Sequence, residues 1–441
     1  MTAPGAPRPG AARRMLERAR SGQLGFRDGL VTGSVATGVV ALTAWAAVAL
    51  PGGEPALEHT GAVGPVAVAT PAPTVLPSTV QPAPTVSAPS GADRAASAND
   101  SSDDSGSGSG DEVDDSSGDG GEQEVPVVAG SQVPRATEVP DASPVRCPSA
   151  TTTVSSAEEL QEALDAARPG DVIELADGTY TGRFVAQVSG TADQPIWLCG
   201  GRQAVLQTGS TRKGYALHLA PAQHWRVVGL TIRNSQKGVV TDGTSGTVLQ
   251  DLLVEDIGDE AIHLRSHSTG NAVLRNTIRR TGLRKEKFGE GVYIGSAEKN
   301  WPKYGDGGPD RSDFNLVALN TISRTSSESV DIKEGTTGGA LLDNTFDGTG
   351  MTAADSWVDV KGNDWLIRGN TGRNTPKDGM QTHRILDGWG TGNVFTENVV
   401  EASGDGVGIY IHKPRDTANE VRCDNRDSSG GEATSGVDCS G

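Results

Sequence analysis

Aromatic residues are scarce, at 4% of a 441-residue chain that carries 59 glycines. That balance excludes an ordinary helical enzyme and suits a repetitive all-β chain rich in turns, joined to linker. Cysteine is nearly absent: only Cys147, Cys199, Cys423 and Cys439. None stands in a CxxC or other metal-ligand spacing, which argues against a cysteine metal site. An even number in an exported chain reads as two disulfides. Three pairings are open, and Cys147–Cys199 with Cys423–Cys439 is preferred because each would tie down one end of the domain. Positive charge is also short. The formal net charge is -18, and segment 51–145 holds 15 acids against 2 bases. Segment 1–50 has 6 arginines against 2 acids, which leaves -9 on 146–441. A folded region this acidic is no nucleic-acid binder, since such binding rests on neutralising phosphates.

Long apolar runs are missing with one exception. Leu30 to Leu50 carries no charge and follows an Arg-rich stretch, 1–29. About 20 apolar residues suffice to span a bilayer, and the arginines should stay cytoplasmic. The run reads as a single-pass anchor, or as a signal peptide cleaved after Ala49. Either way the rest is expected outside the cytoplasm. Segment 51–145 is Pro/Ala/Thr-rich and then Ser/Gly/Asp-rich. It has no core to form and reads as a disordered spacer.

The folded domain is expected over 146–425, with 426–441 as a tail. Ser156 to Glu159 is a capping box that opens an amphipathic helix, stopped by Pro169-Gly170. That helix is expected to plug one end of the long strand series after it. Segments starting at Val227, Val248, Val273, Val317, Leu341, Leu366 and Val394 align with one another. A polar column runs through them at Asp251, Asn276, Asn320, Asn344, Asn370 and Asn398, with steps of 24 to 28 residues and one of 44. Such a period, with short strands and Gly/Asn turns, is one coil of a right-handed parallel β-helix. The Asn column needs no function. Asn tolerates left-handed turns, and stacked amides hydrogen-bond along the axis.

Two further segments nearly copy each other: Ser329–Gly335 (SVDIKEG) and Trp357–Asn363 (WVDVKGN). Their alternation sends Val330, Ile332, Val358 and Val360 inward, and Asp331, Lys333, Asp359 and Lys361 outward. The same reading along the whole strand set gives two outward columns. The first is His218, Val240, His263, Tyr293, Asp331, Asp359, Gln381, Tyr410; the second is Ala220, Asp242, Arg265, Gly295, Lys333, Lys361, His383, His412. Lys and Arg meet carboxylates, Tyr and His stack on sugar rings, and Asp suits a hard cation. This face should grip an acidic, polyhydroxylated chain, with His263, Arg265, Tyr293, His383, Tyr410 and His412 as its contacts. The insertion Gly295 to Asp313 should overhang it. A bare ladder of Asp–Lys pairs is the competing structural explanation.

The helix followed by PGDVIELADGTY, 169–180, resembles the opening of many exported pectate-lyase-like proteins, right-handed parallel β-helices that include the chondroitinase B and alginate lyase group. The resemblance covers 147–425. It implies a lyase that abstracts the proton alpha to a uronate carboxylate with a Lys or Arg base, often aided by Ca²⁺. Carried over, Lys333 or Lys361 is the base, and Asp331, Asp359 and Glu334 hold Ca²⁺, which would neutralise the uronate and acidify its C5 proton. Two other functions use the same face: a non-catalytic carbohydrate-binding surface protein, or a glycoside hydrolase with Asp331 and Asp359 as its acid pair.

Overall fold

The computed structural model describes residues 137–441 apart from 403–405, 416 and 431–432. The expected membrane or signal segment 30–50, the N-terminal stretch before it and nearly all of the linker lie outside the described residues. Among the described residues, no helix is long and apolar enough to cross a membrane.

Alternating short apolar runs fold into three parallel sheets of 11, 10 and 10 strands. Each coil gives one strand to each sheet in turn. Val248–Gln250, Leu253–Ile257 and Ile262–Arg265 make one such coil, and Ala272–Leu274 begins the next. Every pairing is parallel and in register, as in Leu249↔Val273↔Val317↔Leu341↔Ile367↔Phe395. These six side chains are fully buried. The apolar half of each coil therefore stacks on the same half of its neighbours into one continuous core. The fold is the all-β parallel solenoid of right-handed type expected from the period.

The helix Ala157–Ala166 forms with Ser156 as its N-cap and buries Leu160 and Leu164. Glu159 reaches back to the Ser155 N–H at 2.7 Å, one residue earlier than a capping box requires. Gln161 donates to the Val185 carbonyl at 2.9 Å and accepts the Val185 N–H at 3.0 Å. It thereby occupies the outer edge of strand Phe184–Ala186. The disulfides are Cys147–Cys199 and Cys423–Cys439. Ordered chain also extends beyond 146–425. Val139, Ala142 and Val145 pack on the first sheet, and strands Arg426–Asp427 and Thr434–Ser435 join the other two. The Ser440 N–H donates to the Val421 carbonyl, on the last strand of the first sheet, at 2.9 Å.

The polar column is offset by one residue from the sequence alignment at its start. Leu252, not Asp251, stands in line with Asn276, whose Oδ1 accepts the Leu252 N–H at 2.8 Å. Asp251 instead pairs with Arg275 at 3.0 Å. The left-handed conformation also falls one residue earlier than the asparagines, at Arg275, Leu319, Asp343, Gly369 and Glu397. The asparagines serve as hydrogen-bonding rungs, and the column runs on to Asn425.

Candidate functional site

The third sheet carries the face singled out by alternation. His218, Val240, His263, Tyr293, Asp331, Asp359, Gln381 and Tyr410 stand in one register column. At its centre is a closed chain of charges. Asp331 takes Lys333 Nζ on Oδ2 and Lys361 Nζ on Oδ1, both at 2.8 Å. Lys361 also reaches Asp359 Oδ2 at 3.1 Å, and His383 Nε2 lies 3.4 Å from Asp359 Oδ1. Burial alone would push Asp331 up, but the two ammonium groups hold it below the usual carboxylate range. Burial would likewise lower Lys333; Asp331 instead holds it well above an ordinary lysine. Burial and the Lys333 charge work against Lys361, but Asp331 and Asp359 likewise hold it above an ordinary lysine, so the arrangement favours both ammonium forms.

A third column lies just before each strand. Glu260, Glu290 and Glu328 stack there, as the hydrogen bonds from Ala261 N–H to the Glu290 carbonyl and from Gly291 N–H to the Glu328 carbonyl show. One carboxylate oxygen from each of Glu290, Glu328 and Asp331 lies within 4.8 Å of the others. Burial raises Glu328 to about 7, helped by the charges of Asp331 and Asp359. Burial and the neighbouring Glu260 and Glu328 push Glu290 well above the usual range. Glu290 Oε2 is buried with no hydrogen-bond partner among the described residues. Alternation missed this column because a corner resets the phase: Ala261 and Ile262, adjacent in sequence, both point into the core. The signal was present as a repeated Glu-small-β-branched triplet: Glu260-Ala261-Ile262, Glu290-Gly291-Val292, Glu328-Ser329-Val330.

The remaining expected site residues divide in two. His383, Tyr410 and His412 come together and stay partly open: His383 stacks on His412 at 4.3 Å, and Tyr410 meets His412 edge-on at 4.2 Å. Burial, then the adjacent His383, lowers His412 to about 4. Tyr293 also belongs to the centre, with Lys333 Nζ 5.0 Å from its ring. His263 and Arg265 lie buried, as Tyr293, Asp331, Asp359 and Lys361 do, but they belong with the insertion rather than with the centre. Arg265 pairs with Asp242 at 2.7 Å, bonds the Tyr304 hydroxyl at 2.9 Å and stacks on the Tyr304 ring. His263 faces the Gly295 carbonyl at 3.0 Å. The insertion covers them, so they hold it in place. Glu334 stands apart from the acidic cluster: its carboxylate accepts the Glu298 N–H at 2.8 Å. Asp359 is joined to Asp331 through Lys361. The three carboxylates that do converge are Glu290, Glu328 and Asp331.

No family model and no curated protein matches the chain. Solved structures do. An alginate lyase from Paenibacillus sp. str. FPU-7 is 36% identical with a TM-score of 0.61, over 65% of this chain and 99% of that one. The pectate lyase Pel9A is 11% identical with a TM-score of 0.46, over 64% and 81%. A surface adhesin of Streptococcus pneumoniae is 12% identical with a TM-score of 0.46, over 60% and 76%. Near-complete coverage of the Paenibacillus enzyme at this identity, together with the in-register solenoid, means that the chain belongs with it to the pectate-lyase-like family of parallel β-helix proteins.

Proposed function

We propose that the chain is a polysaccharide lyase that cleaves an acidic polymer by β-elimination at a uronate. The observation that carries this reading is the Lys333–Asp331–Lys361–Asp359–His383 chain on the third sheet. Elimination needs three things: neutralisation of the C6 carboxylate, removal of the C5 proton and protonation of the leaving oxygen. Two ammonium groups on one carboxylate are a ready clamp for a second carboxylate. A lysine acts as base only as the neutral amine, and Asp331 works against that form. The ion pairs therefore favour Lys333 and Lys361 as clamp. In this reading His383, partly open beside Asp359, takes the C5 proton, and Tyr293, buried beside Lys333, protonates the leaving oxygen. Lys333→Arg separates this from a lysine base. It keeps the cation and removes the amine, so retained activity supports the clamp and complete loss supports the base.

Calcium assistance has one set of residues that fits. Glu290, Glu328 and Asp331 offer hard oxygen donors within 4.8 Å of one another, and Glu290 Oε2 is a buried acceptor with no hydrogen-bond partner among the described residues. Bound there, Ca²⁺ would supply positive charge to the substrate carboxylate. Because burial favours the protonated forms of Glu290 and Glu328, a cation competes with protons for this cluster.

The two disulfides also support an extracytoplasmic location, consistent with the Arg-rich stretch and apolar run 30–50 as an anchor or export signal. The activity test is incubation with alginate, pectate and glycosaminoglycans, read as ultraviolet absorbance of the unsaturated uronide. Binding without this absorbance on all three would replace the lyase with a carbohydrate-binding protein. New reducing ends without it would point to a hydrolase.

A further inference from the structure

The insertion and a loop after His383 meet in a feature that the centre does not use. Trp301 opens the short helix Trp301–Tyr304 of the insertion. Trp389 stands in the loop Asp387-Gly388-Trp389-Gly390. Their rings lie 6.5 Å apart at an interplanar angle of 66°. Both are only half-buried, whereas Trp225, Trp357 and Trp365 are wholly inside the core. Large aromatic surface left open on an aromatic-poor chain calls for an occupant.

The backbone fixes where these rings stand. Gly335, two residues after Lys333, packs under Trp301: a Cβ there would lie 3.3 Å from Trp301 Cζ2. The Gly390 N–H donates to the Lys361 carbonyl at 2.9 Å. Gly390 is left-handed, and a Cβ on it would sit 2.3 Å from the His383 carbonyl oxygen, so only glycine allows this close approach. Trp301 and Trp389 therefore form a wall just past the ends of the two lysine strands. Arg311 completes it. Its guanidinium lies 5.8 Å from the Trp389 ring, and its Nε pairs with Asp313 at 2.9 Å. Its two Nη groups have no partner among the described residues.

We propose that Trp301, Trp389 and Arg311 form a separate sugar subsite, which binds a pyranose uronate further along the polymer than the unit that reacts. The pyranose stacks on a tryptophan face, and its carboxylate is met by the free end of the Arg311 guanidinium. This rests on the lyase reading for its substrate class and extends it from one reacting unit to a longer stretch of chain. A rigid, aromatic platform loses little entropy on binding, so its contribution falls on affinity for long chains.

The test uses the full chain and alginate and polygalacturonate chains of graded length. Binding is measured by calorimetry on the Lys333→Ala protein, so that turnover during the titration is slowed. Adding Trp389→Ala should weaken binding of long oligomers about tenfold, equivalent to about 1.4 kcal/mol, and leave dimers unchanged. Trp389→Phe should restore most of the loss, and Arg311→Gln should reproduce part of it, with the melting temperature of each variant as the check on folding. Equal binding of long oligomers by folded Trp389→Ala and Arg311→Gln proteins would overturn the subsite while leaving the lyase reading intact. Length-dependent weakening in a protein whose parent yields no unsaturated product would uphold the subsite and remove the lyase reading.

Discussion

Two buried polar columns run along this solenoid, and they are finished differently. In the asparagine ladder every amide is used. Asn344 accepts the Asn320 N–H and Nδ2 on its Oδ1, both at 2.9 Å, and its own Nδ2 donates to the Val317 carbonyl and to Asn370 Oδ1. Asn320, Asn370 and Asn398 repeat the pattern, and Asn276 does so except that Leu252 offers its Oδ1 only an N–H. On the third sheet the stacking is just as regular, yet Glu260 Oε2, Glu290 Oε2, His263 Nδ1, Ser329 Oγ and Gln381 Oε1 are buried without a hydrogen-bond partner among the described residues. A buried group left unpaired costs stability. The ladder uses its polar groups to hold coils together; the charged column leaves polar capacity unused, as a site awaiting a ligand does.

The comparison breaks most visibly at Lys333. Lys333→Ala should lower kcat by about 10²- to 10⁴-fold with the fold kept, because Lys361 still neutralises Asp331; a steady-state assay beside a thermal melt checks both halves. Asn344→Ala should do the reverse. It removes the acceptor of two Asn320 donors and the Nδ2 bonds to the Val317 carbonyl and Asn370 Oδ1, of which the last still accepts the backbone N–H of residue 344. It should cost about 3 kcal/mol in denaturant unfolding, while activity per folded molecule stays near wild type. A third prediction concerns Glu328, whose folded-state value of about 7 lies above that of an unfolded glutamate. The native chain keeps a proton that the unfolded chain releases. The associated stability is present at acid pH, falls as pH rises through the mildly acidic range and is gone above about 7. Melting curves should show that slope in wild type and a flatter one in Glu328→Gln. The smallest effect is expected from calcium. It should raise the melting temperature modestly, more so at pH 8 than at pH 6, and Glu290→Gln should abolish the rise; an equal rise in that variant would place the cation elsewhere.

The fold was legible because stacking demands repetition. A coil that buries half its residues on its neighbours must repeat its apolar phase, and Val330/Ile332 and Val358/Val360 do so. The first outward column was legible for the same reason. Strict alternation failed where the chain turns a corner, which hid Glu290 and Glu328 one step before their strands. The asparagines were visible, but their start was misplaced by one residue because Asp251 resembles Asn in kind without occupying its register. What no local pattern contains is where an insertion folds back. Arg265 and His263 read as open from their own strand, and only the contact with Tyr304 and Gly295 reveals them as its anchors.

The closure of the strand edges has a consequence for assembly. A parallel solenoid presents the same backbone pattern at both ends, so one molecule is a template for the next, and head-to-tail addition has no geometric limit. Here Gln161 imitates a neighbouring strand at one edge by giving and taking a bond at Val185. At another, the stretch held by Cys423–Cys439 lays Ser440 on Val421. Each takes up backbone pairing groups on one end strand. Gln161 at one edge and the segment that follows the Cys423–Cys439 bridge at another therefore occupy pairing groups that a second copy could otherwise use.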